Sequence, residues 1–190
     1  MKPRSQQNIT KIFDSTLEIV SKEGLSGLTM AKISTTSTLG MSSIYNYFEN
    51  KEEIINKLFH YLEEKHSKNI YSEVVNGAPF MVNLKRIFNA YYMNRWHNEN
   101  DFKFIDQYRN SGLMGEADHK SEELLYSKAY EILDQGKKEL LVKYVDNKIL
   151  LSYMTGGIKE IVIQMKKYKL PLDQQLVNTT FELCAGVMLK

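Results

Sequence analysis

The chain has 190 residues, 43% of them hydrophobic and 25% charged, with 25 Lys and Arg against 23 Asp and Glu for a formal net charge of +2. Such a length suits one larger domain or two small ones, with enough apolar material to bury a core. The balanced charge announces no nucleic-acid partner, the lone Cys184 excludes a disulfide framework or cysteine metal cluster, and no apolar run reaches the roughly 18 residues of a membrane span.

The first ten residues, MKPRSQQNIT, lack the apolar stretch of a secretory signal, so a reduced, cytoplasmic setting is expected. Strand-like alternation is scarce and helical spacing dominates. Residues 5 to 22 place Ile9, Ile12, Phe13, Thr16, Ile19 and Val20 at three- and four-residue intervals, and Gly24 ends the run. Thr29 reads as the N-cap of a short segment with Met30 and Ile33 apolar. Gly40 breaks the chain, and a second short segment runs from Met41 to Phe48. Asn50 then caps a helix expected over residues 51 to 75, with Glu52 and Glu53 in its first turn and Ile54, Ile55, Leu58, Tyr61 and Leu62 as its inner stripe.

Asn76-Gly77-Ala78-Pro79 breaks that helix. Further helices are expected near 80–97, 101–110, 119–137, 146–167 and 172–189. They are separated by Asn98-Glu99-Asn100, by Ser111 through Gly115, by the stretch after Gly136 and by Leu170-Pro171. Leu140 to Val145 fits an extended segment, and no internal repeat occurs. The expected class is all-α: a three-helix head over residues 1–50, followed by a helical-bundle body over residues 51–190.

Two short helices joined by a tight turn behind a longer one make the layout of a helix-turn-helix, here over residues 28 to 48. The second helix must start with small residues so that its N-terminal end can approach base edges in the major groove. Gly40-Met41-Ser42-Ser43 meets that requirement. Tyr45, Tyr47 and Phe48 offer an apolar side and phenolic hydroxyls, and Lys51 begins a helix, where N–H groups and an ammonium suit a phosphate. Residues 1 to 46 carry Lys2, Arg4, Lys11, Lys22 and Lys32 against Asp14, Glu18 and Glu23, a balance compatible with a phosphate-facing surface and equally with an ordinary solvated one.

Ile33, followed twelve residues later by Tyr45-Asn46-Tyr47-Phe48-Glu49-Asn50-Lys51-Glu52-Glu53-Ile54, resembles the N-terminal signature of the TetR family of transcriptional regulators. Ile12-Phe13, Val20, Gly24 and Thr29 are similar to its first-helix pattern, so the resemblance covers about residues 8 to 58. It implies that Met41, Ser42, Ser43, Tyr45 and Tyr47 face DNA, that Thr29 and Lys51 contact phosphates, and that Ile33, Ile44 and Phe48 form the core of the head. Lys32, on the preceding helix, is added as a further phosphate contact.

The chain departs from the family pattern at several positions. Ser15, Thr16, Ser34 and Ser37 stand where alanines are usual, Thr38 replaces the turn glycine, Gly40 the capping serine, and Ser42 the glycine of the reading helix. A β-branched residue is unfavourable in a left-handed turn, so the turn is where the pattern is most in question.

The resemblance also implies a ligand-responsive repressor that binds a palindromic operator in double-stranded DNA as a homodimer. No Ser/His/Asp order, phosphate-cradling glycine loop or cysteine pair occurs, so no catalytic activity, cofactor or metal is expected. Tyr153, Gly157, Ile161, Phe181 and Val187 are then expected at the dimer interface, where small residues allow close helix approach. For a small-molecule effector, Tyr92, Trp96, Phe104, Tyr108, Tyr126 and Tyr130 are the expected pocket, since 12 tyrosines and nine methionines suit an adaptable apolar cavity with hydroxyl handles. The alternative for both sets is intramolecular core.

Two other function classes have a partial basis in the sequence. Glu63-x-x-His66 and Glu116-x-x-His119 match the spacing of di-iron helical bundles, which need two further glutamates. The first pair lies on a long charged helix and the second in an expected loop beside Gly115, so convergence on one site is not expected. A helical adaptor without DNA binding would not require the block from Gly40 to Lys51.

Overall fold

The computed structural model describes residues 3–190, with side chains from Ser5 onward; Lys2 and the side chain of Arg4 lie outside the described residues. The helices are α1 (Pro3–Glu23), α2 (Met30–Ser37), α3 (Met41–Tyr45), α4 (Lys51–Tyr71), α5 (Phe80–His97), α6 (Glu99–Arg109), α7 (Glu116–Lys138), α8 (Asn147–Lys167) and α9 (Gln174–Met188). The all-α expectation holds. Two compact units form, one from Met1–Lys65 with Asn98–Lys120, the other from His66–His97 with Ser121–Lys190. Their division does not fall at residue 50.

In the first unit α1 packs on α2 and α6. The apolar spacing of α1 buries Ile12, Phe13, Ile19 and Val20, which join Leu28, Ile33, Ile44 and Phe48 in the core. Each fully buried side chain of this kind contributes about 1.5–3 kcal/mol at most. Thr16 occupies an alanine position without strain, since its hydroxyl donates to the Ile12 carbonyl at 2.8 Å. On α4 the inner stripe differs from the expectation: Phe59 is fully buried, while Tyr61 is 49% exposed and rests against Phe13 with ring centroids 5.5 Å apart.

Polar bonds tie α4 to α6 and to the start of α7. Arg109 donates to both carboxylate oxygens of Glu63 at 3.1 and 3.2 Å, and Lys65 to Asp101 at 2.8 Å. The buried Asp118 accepts from the Gly115 N–H at 2.8 Å, the Tyr108 hydroxyl at 3.0 Å and the Asn56 amide at 3.0 Å. His60 Nε2 lies 2.9 Å from the same carboxylate. Burial pushes the Asp118 pKa up, but these partners outweigh it and hold the carboxyl below its usual range. The Gly115–Asp118 bond also explains why α7 begins at Glu116, where the sequence suggested a loop.

In the second unit α5 packs on α8 and α9, and α8 on α9. One contiguous apolar cluster includes Phe80, Phe88, Tyr92, Ile158, Phe181 and Met188. The helix expected to reach residue 75 stops at Tyr71 because Asn83 takes over the backbone of Val75, accepting from its N–H at 3.0 Å and donating to its carbonyl at 2.9 Å. Gly136 does not end α7. A Cβ there would lie 2.6 Å from Phe80 and 2.5 Å from Val142, so this glycine serves close packing. The extended segment does form around Val142, which makes an isolated antiparallel bridge with Leu189.

Candidate nucleic-acid interface

Thr29 caps α2, its hydroxyl accepting from the Lys32 N–H at 3.2 Å. At the other end Thr38 adopts the left-handed conformation, φ 57 and ψ 23. The missing glycine therefore leaves a strained residue in the turn, and the two serines beside it hold that turn in place. Ser34 donates to the Leu39 carbonyl at 2.7 Å, and the Ser37 hydroxyl accepts from the Leu39 N–H at 3.3 Å. Alanines at 34 and 37 make neither bond. These contributors escaped the sequence reading, although the serine-for-alanine departures were the signal.

Gly40 begins α3 with extended backbone, φ −61 and ψ 146, and without a side-chain cap. Ile44 and Phe48 face inward with Ile33, as the head requires. Met41, Ser42 and Tyr45 are exposed, and Ser43 is half-buried. Tyr47 is half-buried, its hydroxyl accepting from the Asn8 amide of α1 at 3.1 Å. That bond fixes the aromatic side of the reading helix against the supporting one.

Lys51 is half-buried at the first position of α4, its ammonium 3.9 Å from Glu52. Asn50 caps the helix by accepting from the Glu53 N–H at 2.8 Å, and Glu53 reaches back to accept from the Glu49 N–H at 2.5 Å. Lys57 and that N–H hold the Glu53 carboxyl below its usual range. Lys32 is engaged inside the head: its ammonium pairs with Glu23 and donates to the Gly27 carbonyl at 3.0 Å. The structure thus brings Met41, Ser42, Ser43 and Tyr45 onto one short helix, while Thr29, Lys32 and Tyr47 have intramolecular partners.

Residues 12–58, this same stretch, match the family model of bacterial regulatory proteins of the tetR family. The chain carries a TetR-type DNA-binding head. It is 22% identical over 174 residues to YhgD, an HTH-type transcriptional regulator of Bacillus subtilis (strain 168), across 90% of this chain and 91% of that one. In fold it is similar to a TetR family transcription regulator from Marinobacter aquaeolei VT8, with TM-score 0.92, 18% identity and 100% of both chains covered. A TetR-family transcriptional regulator from Haemophilus influenzae Rd gives TM-score 0.80 at 18% identity, again over 100% of both chains. With the TetR-type head in place, the chain is a DNA-binding transcriptional regulator and not an enzyme.

The residues expected around an effector fall in both units. Phe104 and Tyr108 are buried in the first unit, whereas Tyr92, Trp96, Tyr126 and Tyr130 belong to the second. Tyr92 is core, its hydroxyl donating to the Met165 sulfur at 2.8 Å. Tyr126 and Tyr130 meet edge-on at 6.4 Å, and Lys166 lies over the Trp96 ring at 5.3 Å. A void of about 10 Å³ opens elsewhere in the second unit, between Leu84, Ile87, Ile132, Leu133, Leu151 and Met154. It has room for one water-sized sphere and is wholly apolar in lining.

The expected dimer residues divide as well. Tyr153 and Val187 are exposed, while Phe181 is buried edge-on against Phe88 at 5.2 Å. Ile161 packs partly on the core, and a Cβ on Gly157 would lie 3.2 Å from the Cys184 sulfur of α9.

Of the di-iron pairs, Glu63 is on Arg109, His66 Nδ1 lies 3.0 Å from Asn94, and Glu116 and His119 are exposed. Among the described residues no three His, Cys, Asp or Glu side chains form a metal-holding group. Nor is any described helix long and apolar enough to cross a membrane.

Proposed function

We propose that the chain is a ligand-responsive repressor that binds a palindromic operator as a homodimer in the cytoplasm. Residues 1–50 read DNA, and residues 51–190 carry effector binding and dimerisation. The observation that carries the dimeric reading is an exposed apolar face on α8 and α9. Ile149 is 62% exposed, Tyr153 51%, Leu183 65% and Val187 39%, and a Cβ on Gly156 or Gly186 meets nothing within 4 Å. Apolar side chains grouped on a helix pair imply a covering partner. A second copy covers the face symmetrically, and a two-fold dimer presents two heads to two inverted half-sites.

On this reading Met41, Ser42, Ser43, Tyr45 and Tyr47 face the major groove, with Thr29, Lys32 and Lys51 on the phosphates. The void in the second unit holds no more than one water-sized sphere, so an effector enters only by repacking the core around it, where Met154 and Met188 are the most flexible side chains. It acts by favouring one of two states of the dimer, coupled through α4, whose residues belong to both units.

Light scattering after size exclusion tests the assembly: twice the 22.1 kDa chain mass is expected, and a monomer at every concentration removes the dimer. Selection of bound duplexes from a random pool tests the operator, with an inverted repeat expected. Tyr45→Ala, Tyr47→Ala and Lys51→Ala should each weaken binding with helicity unchanged. Undiminished binding in all three removes the site assignment.

A further inference from the structure

We infer that Asn46, the residue capping the C-terminal end of α3, is the base-reading side chain of the head and gives each operator half-site an adenine. The inference rests on the DNA-binding reading of the head and goes beyond it by naming one residue and one base. Ser42, Tyr45 and Asn46 stand at i, i+3 and i+4, so they share one face of the helix, and all three are exposed.

Their chemistry differs. A serine hydroxyl pairs with almost any base edge, and a single phenolic hydroxyl discriminates little better. The Asn46 amide holds a donor and an acceptor side by side. That pattern matches the major-groove edge of adenine, where Nδ2 donates to N7 and Oδ1 accepts from the N6 amino group. Guanine presents two acceptors there and leaves Oδ1 without a donor.

Asn46 is also available for this contact. Its backbone N–H donates to the Ser42 carbonyl at 3.2 Å, but its side chain makes no hydrogen bond to the chain among the described residues. Local capping does not explain it either. An asparagine that terminates a helix by itself turns left-handed or bonds a neighbouring backbone group, whereas Asn46 has φ −70 and ψ −15 and stays in helical phase. Three other polar side chains of the head are engaged: the Tyr47 hydroxyl by Asn8, the Lys32 ammonium by Glu23, and the Asn50 side-chain amide oxygen by the Glu53 N–H.

The test is selection from a random duplex pool with the full chain, its Asn46→Ala variant and its Asn46→Gln variant, with melting temperatures measured alongside. The wild type should enrich an adenine at one position per half-site. Asn46→Ala should flatten that position, lowering discrimination roughly 5- to 100-fold. Asn46→Gln, which keeps the amide, should retain the adenine, and all three should melt alike because the side chain is exposed. An adenine that survives Asn46→Ala, or a wild-type pattern without one, overturns the assignment while leaving the head a DNA reader. A wild-type pool that enriches nothing removes the DNA reading and this inference together.

Discussion

Both compact units bury an apolar core, but what accompanies that core differs. In the first, directional bonds join the helices: Glu63 to Arg109, Lys65 to Asp101, and the four groups around Asp118. In the second, one apolar cluster runs from Ile70 to Met188. What they expose differs in the same sense, a short helix bearing Ser42 and Tyr45 in one and an apolar helix face in the other. Apolar burial supplies driving force without direction, whereas a polar network contributes little net energy and specifies geometry. A reading helix needs the second property and an assembly face the first.

Substitutions distinguish these roles, and the largest effect belongs to the apolar cluster. Phe88 is fully buried, and Phe88→Ala should cost about 3–5 kcal/mol of stability by chemical denaturation. A loss well under 1 kcal/mol would mean that the second unit does not depend on burial. Leu183→Asp should leave the melting temperature of the monomer unchanged, because the side chain is exposed, yet weaken the dimer by roughly 100-fold or more, since it buries an unpaired charge. Sedimentation at graded concentrations measures it, and unaltered self-association counts against the α8–α9 face.

Asp118→Asn should cost about 2 kcal/mol, because one of the surrounding donors then faces an amide NH₂. The pH dependence has a definite sign. The folded Asp118 pKa lies below the unfolded one, so its stabilisation is present above about pH 4 and lost as the pH falls through the folded value. Thermal melts from pH 6 downward should show the wild type losing more than the variant, and parallel curves would place the acid sensitivity elsewhere. The smallest change expected is a gain: Thr38→Gly relieves a left-handed threonine and should stabilise the head by about 1 kcal/mol, read as a rise in melting temperature. A fall would show that the Thr38 hydroxyl bond to the Ser37 carbonyl matters more than the strain.

Spacing, caps and breakers marked which segments are helical from the sequence alone, though not every bound, because those signals are local. Thr29, Gly40 and Asn50 mark helix starts through the backbone groups beside them, and Ile33, Ile44 and Phe48 recur at the intervals that face one core. The tertiary structure decided whatever depends on residues far apart in the chain. Asn83 ends α4 early, Phe80 and Val142 account for Gly136, and Asn8 and Glu23 engage Tyr47 and Lys32. The six aromatic residues expected to line one pocket are divided between two units for the same reason. Periodicity states that a side chain faces inward, but which core receives it depends on how distant helices pack.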